Sequence, residues 1–398
     1  MKKIKYINDN PDMGIEYDYK AIIKKIKSLG LYPRKKKDTD DIDVWNPSHV
    51  PFNHAKWFVF MSLRSKGKTT NFLILGLIMY EMYGTVTQYI TQTENQLAPK
   101  NSKGLYNVIL SNDYIRKITN GKWSSICLKA RRWYYCNHDD SGKISEMSKD
   151  YVCIMSSIDK QEQYKSVLNE PKGDLIIFDE FIHKYYMPNE FIEFSQLFST
   201  IRRIRQSPII IMLSNTVNPY STYFSELEIS DDVLAMKAGD KKIITSDHGT
   251  NVYVEIIDPA QSRSRIESDK LFFGFHNPLL GAITGNTLWS IKNYPHIIHK
   301  EGNIQLSVNH YILYNNKLVN LELWKSEVGL EIHAHFATKT YDDSVIYTLG
   351  EIRRPLDRFK YGHTKLDKTI WNCFNLNKFY YSTNDVGTFV ENYINACK

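Results

Sequence analysis

The chain has 398 residues, 42% of them hydrophobic and 24% charged, which is enough for two or three globular domains with buried cores. Lysine and arginine outnumber aspartate and glutamate by 51 to 44, a formal charge of +7; so mild an excess suits a nucleic-acid partner and a solvated surface equally well. The composition excludes several classes: five cysteines with no CxxC pair make no disulfide framework, the opening MKKIKYINDN lacks the apolar run of a secretory signal, and the most apolar stretch, 72–83, contains Glu81 and is too short to cross a bilayer. A soluble intracellular protein is expected.

Residues 1–45 read as a charged N-terminal extension. Inside it, 17–29 has helical spacing at Ile22, Ile23, Ile26 and Leu29, with Gly30 as the stop. A basic run at 34–37 and an acidic run at 38–43 follow, the pattern of a solvated linker or of a DNA-backbone or partner contact. From 46 to 258 the pattern is that of an α/β domain. Apolar, unalternating runs at 57–61, 86–92, 151–156, 174–178, 208–213 and 252–257 read as strands covered on both faces. Helical stretches at 69–83, 107–119 and 190–205 separate some of them, so a mainly parallel sheet is expected. A polar, turn-rich insert occupies 121–149, with Asp139-Asp140-Ser141-Gly142 as a hairpin signal. Residues 259–305 read as a linker or hinge module. From 306 onward, three short strands at 310–314, 317–323 and 329–337 predict an antiparallel meander that opens a second, smaller α+β domain.

The segment that points to chemistry is Ser62-Leu63-Arg64-Ser65-Lys66-Gly67-Lys68-Thr69-Thr70, set between an apolar strand and a long apolar helix. A P-loop needs that placement: backbone N–H groups wrap the β-phosphate of ATP as the chain enters a helix whose positive end adds to the attraction. Lys68 is placed to neutralise the β/γ oxygens and the Thr69 hydroxyl to ligate Mg2+, while Gly67 allows close backbone approach. Ser62 stands where the first glycine of a strict motif would be. Asp179 and Glu180 end an apolar strand. The first carboxylate is placed to hold magnesium, together with Thr69, and the second to deprotonate the attacking water. A further strand ends in Ser214-Asn215-Thr216, where the Asn215 amide can sense the γ-phosphate. Arg202, Arg203 and Arg205 close the helical stretch before it. Basic residues at a helix C-terminus are favoured by the macrodipole; the functional alternative is a finger that reaches ATP on a neighbouring subunit.

With an arginine, Arg64, three residues before Gly67, with Glu180 beside Asp179, and with a polar strand end at 214–216, the chain resembles the large terminases, the viral DNA-packaging ATPases. Residues 88–94 also look like a terminase feature, although Gln92, Thr93 and Glu94 stand where that family often has arginines. The resemblance covers about 50–258. The overall layout looks closest to the packaging ATPases of small tailed phages with protein-primed genomes. It implies a P-loop ATPase domain of the ASCE type followed by an RNase H-like domain, and an ATP-driven double-stranded DNA translocase. It further implies a homo-oligomeric ring, taken as a pentamer, docked on the portal of a viral prohead in the infected host's cytoplasm; in some relatives a structural RNA links motor and prohead.

A working nuclease of that fold needs clustered carboxylates for two metals. The strand 310–314 has none, while Glu322, Glu331, Asp342, Asp343, Asp385 and Glu391 are scattered, so a vestigial nuclease kept for binding is expected. DNA contacts are expected from Lys100, Lys103, Lys129, Arg131 and Arg132, with Arg353, Arg354, Arg358 and Lys360 in the second domain, because a translocating motor should grip phosphates and avoid base readout. Cys127, Cys136 and His138 lack a fourth ligand at zinc-finger spacing. Two other readings remain: a helicase-like or DNA-remodelling ring ATPase, and a nucleotide-switched DNA-binding assembly protein, against which Glu180 argues.

Overall fold

The computed structural model describes residues 4–32, 45–62, 67–164, 173–182, 189–215, 221–257, 294–298, 302–314, 316–327 and 329–397. They form two compact units. The first is built on nine strands, β1 (Trp57–Met61), β2 (Thr87–Thr91), β3 (Ser125–Lys129), β4 (Arg132–His138), β5 (Ile144–Ser157), β6 (Leu175–Asp179), β7 (Ile209–Ser214), β8 (Lys241–Thr245) and β9 (Asn251–Ile256). Their order across the sheet is β3-β4-β5-β2-β6-β7-β1-β9-β8. The six strands from β5 to β9 in that order are parallel, and β7 is buried along its whole length, which is why its sequence shows no alternation. β7 separates β1 from β6, the ASCE arrangement that the resemblance implies.

The helix Lys68–Tyr83 is apolar on every side and is correspondingly buried from Asn71 to Met79. Gly76 lets it lie against β2: a Cβ there would stand 2.2 Å from Thr87 Oγ1. The helical segment near the N-terminus runs Tyr19–Ser28, capped by the Asp18 carboxylate on the Ala21 N–H. Its Ile22 and Ile26, with Ile15, Tyr17 and Leu31, join the core of the sheet; charge dominates the composition of this stretch, yet its apolar residues are buried.

Four elements differ from expectation. The polar 121–149 insert is an antiparallel extension in which β3 and β4 pair with each other and β4 with β5, with the β4–β5 turn at the hairpin expected over 139–142. Only Trp133 and Tyr135 on the inner face of β4 are large and buried, so the period of two is hidden among polar outer residues. The stretch 107–119 divides into Asn107–Ser111 and Tyr114–Ile118, with Asp113 in the left-handed region at φ 54. Helix Glu190–Arg202 stops short of 205, where Arg203 takes φ 48. Edge strand β8 leaves no mark in the sequence pattern, since its sole buried side chain is Ile244.

The second unit carries β10 (Ile304–Tyr314), β11 (Lys317–Ser326), β12 (Gly329–Ala337), β13 (Val345–Thr348), β14 (Arg358–Phe359) and β15 (Phe379–Tyr381) in the order β14-β13-β10-β11-β12-β15. The expected meander is β10–β11–β12, and β13 runs parallel to β10. Helices Lys365–Asn375 and Asn384–Cys397 supply Trp371, Phe389 and Tyr393 to a core shared with Ile312, Leu321 and Ile332. Most of the expected 259–305 linker lies outside the described residues. No helix among the described residues is long and apolar enough to cross a membrane.

Candidate nucleotide site

Parallel strands bring their C-terminal ends to one edge of the first unit, where α/β sheets bind ligands. Register places Met61 of β1 opposite Ser214 of β7, and Leu213 opposite Asp179 of β6. The segments following these strands therefore meet. Gly67, at φ 79, caps the helix that starts with Lys68. Lys68 is 6% exposed, and its ammonium donates to Ser62 Oγ and, at 3.0 Å, to Asn215 Oδ1. Burial pushes Lys68 down to about 8, against the opposing pull of Asp179 and Glu180. The Thr69 hydroxyl donates to Asp179 Oδ2 at 2.9 Å. These two oxygens fit magnesium, which is commonly held by one or two protein groups plus water and phosphate.

Glu180 has φ 57. Its N–H lies 3.1 Å from Asp179 Oδ1, and its carbonyl accepts from Gln92 Nε2 at 2.6 Å. That backbone turn carries the Glu180 side chain out of the strand while Asp179 stays in line with it. A cavity of about 300 Å³ opens beside the two carboxylates, walled by Tyr89, Thr91, Gln96 and Ser102 among others, with room for a water molecule next to Glu180.

Ser62, Gly67, Lys68, Thr69, Asp179, Glu180 and Asn215 thus converge as their motifs suggest, and Thr70 follows in the first turn of the same helix. Ser214 contributes its carbonyl, which accepts from the Ser62 N–H at 3.2 Å. Arg64, Ser65, Lys66 and Thr216 lie outside the described residues. Sequence reasoning missed Tyr89, whose hydroxyl donates to the same Asp179 oxygen at 2.8 Å, and gave Gln92 no role at the site. No local signal marks either residue, because their contacts arise from β2 lying beside β6.

The three arginines of 202–205 sit at the opposite edge, where β7 begins. Arg205 is buried and ion-paired with Asp174, a structural placement. Arg202 and Arg203 are exposed. Among the DNA candidates, the β3–β4 turn reaches the same edge as Lys68, since Arg132 pairs with Ile154 near the end of β5. There Arg131 forms an ion pair with Glu94, and the Arg132 guanidinium lies 5.0 Å from the Tyr151 ring centroid. Lys100, Lys103 and Lys129 are exposed. In the second unit Arg354 binds Asp357 at 3.0 Å and Arg358 donates to the Pro355 carbonyl at 3.0 Å, so both shape their own loop. Arg353 is exposed, and Lys360 lies 5.7 Å from the Phe359 ring centroid. Glu322 and Glu331 are tied to His335 and His333 at 3.1 and 3.0 Å.

No family model matches the sequence, and no curated protein matches it. Among solved structures, the chain is similar to the Phi-28 gp11 DNA packaging motor, at 16% identity and a TM-score of 0.54, over 89% of this chain and 98% of that one. It is also similar to the bacteriophage Phi-29 viral genome packaging motor assembly, at 18% identity and a TM-score of 0.53, over 89% and 99%. At these identities the likeness concerns the fold: this chain has the fold of the phage DNA-packaging motor proteins across nearly its whole length, and the resemblance read from the motifs holds at that level.

Proposed function

We propose that the chain is an ATPase that drives double-stranded DNA into a viral prohead as a ring of identical subunits. The observation that carries the reading is the meeting of Lys68, Thr69, Asp179, Glu180 and Asn215 at one sheet edge, with Glu180 turned out beside a cavity. Lys68 neutralises phosphate charge, Asn215, whose Oδ1 accepts from Lys68, senses the γ-phosphate by donating its amide NH2, and Glu180 takes the proton of the attacking water. Magnesium held by Thr69 and Asp179 would supply the remaining neutralisation of phosphate charge. Exposed Lys100, Lys103 and Lys129 at the same edge supply DNA backbone contacts that carry no sequence information. The second unit is read as a nuclease-like sheet kept for binding, and the portal and a structural RNA as partners.

The test is steady-state ATP hydrolysis with no DNA, single-stranded DNA or duplex DNA, each with and without purified proheads, for the native chain and for Glu180→Gln. Stimulation by duplex plus proheads, abolished in Glu180→Gln with ADP affinity retained, is the expected result. Stimulation by single strands alone would replace this reading with a helicase. Full turnover by Glu180→Gln would remove the assigned base.

A further inference from the structure

At the sheet edge opposite Lys68, a groove of about 550 Å³ is lined by residues that include His54, Lys56, Trp57, Arg202, Arg205 and Gln206, with no carboxylate in its wall among the described residues. Its cations come from separate parts of the chain: Lys56 precedes β1, Arg202 ends the helix before β7, and Arg205 lies in the loop after it. The helix macrodipole accounts for Arg202, and the ion pair with Asp174 for Arg205. Neither accounts for Lys56, which is brought beside the arginines by the pairing of β1 with β7. Lys56 and Arg202 are each fixed by a carbonyl: Lys56 Nζ donates to Gln206 O at 2.6 Å and Arg202 Nε to Arg205 O at 3.0 Å. Lys56 has two further ammonium donors and Arg202 its Nη groups to offer a ligand. Arg205 is 8% exposed and held by Asp174, which also accepts from Tyr17 at 2.7 Å. Lys56 is shifted down from the ordinary lysine value, by burial first, with Arg202 pushing the same way and Asp174 opposing. Asp174 meets the charge of Arg205, whereas no described carboxylate pairs with Lys56 or Arg202, so these two like charges in one groove call for an anion.

We propose that this groove is a second DNA contact, in which Lys56 and Arg202 bind a phosphodiester of the duplex backbone. Two accessible cations match the single charge of a phosphodiester better than the several charges of a nucleotide triphosphate. The proposal rests on the DNA-handling reading above and adds a grip at the edge remote from ATP.

The experiment measures affinity of the full chain for a fluorescent 30-base-pair duplex of mixed sequence at several salt concentrations. It compares the native protein with Lys56→Gln/Arg202→Gln and with Lys24→Gln/Lys27→Gln, a pair on helix Tyr19–Ser28 that removes the same charge. The groove pair should weaken binding by about tenfold and reduce the salt slope by about 0.9, for the one phosphate that is no longer neutralised. The helix pair should change affinity by less than about twofold. Lys56→Arg/Arg202→Lys, which keeps both charges, should restore binding, separating charge loss from misfolding. Equal effects of the two neutralised pairs, or none from the groove pair, overturn the proposal while the DNA reading stands; absence of duplex binding by the native chain sinks both. Unchanged DNA affinity, with a groove variant inactive alone but active when mixed with Glu180→Gln copies, would assign the groove to the nucleotide of a second copy instead.

Discussion

Lys68 is the most exacting test of the site, because its burial makes nucleotide binding depend on pH in a calculable way. Without nucleotide its ammonium titrates at about 8, lowered by burial from 10.5. Phosphate oxygens placed against it favour the charged form, so binding above pH 8 must take up a proton. A group of that pKa is about 90% protonated at pH 7 and about 10% at pH 9. ADP affinity should therefore fall about tenfold between these values, or ~1.4 kcal/mol. Calorimetry with ADP and magnesium in buffers of different ionisation enthalpy should read an uptake of about half a proton at pH 8, rising toward one at pH 9. Lys68→Arg, which stays charged throughout, should bind with a nearly flat pH profile if the guanidinium is accommodated. The stability of the nucleotide-free protein follows the same linkage. The unfolded chain binds more protons than the folded one between pH 8 and 10.5, so stability rises through that window, and a Lys68→Met variant should lack the rise. Affinity independent of pH with no proton uptake would refute the account of a desolvated lysine.

Other perturbations test neighbouring parts of the site and fold. Gln92→Glu keeps the size of the side chain but removes the donor to the Glu180 carbonyl; ATP turnover should fall about tenfold with KM within about twofold, as for a residue that positions a base, and an unchanged kcat would deny Gln92 that role. Gly76→Ala forces a methyl against Thr87 Oγ1 and should cost about 1–3 kcal/mol in urea denaturation, with Thr87→Ala relieving most of the loss; full stability of the single variant would show the contact to be soft. Asp174→Asn leaves the buried Arg205 guanidinium without its counter-charge, for an expected loss of about 3–5 kcal/mol, and a loss below about 1 kcal/mol would mean that Arg205 reaches solvent.

What the sequence determines by itself is whatever is contiguous in the chain. Trp57–Met61, Gly67, Lys68 and the apolar helix that follows are close neighbours in the chain, so strand, turn and helix can be read in order and the lysine and threonine placed by spacing alone. The same holds for Asp179-Glu180 and Asn215 at strand ends, and for the β10–β11–β12 meander, whose turns are short. Tertiary structure decided which strands are neighbours. Because β2 lies against β6, Tyr89 reaches Asp179 and Gln92 reaches Glu180, contacts spanning about ninety positions that no local pattern encodes. Because β1 lies against β7, Lys56 stands beside Arg202. Burial was likewise decided at that level. Arg205 and Arg203 look alike in sequence, yet one is buried on Asp174 and the other exposed, since only the fold sets which side of a turn meets a buried carboxylate.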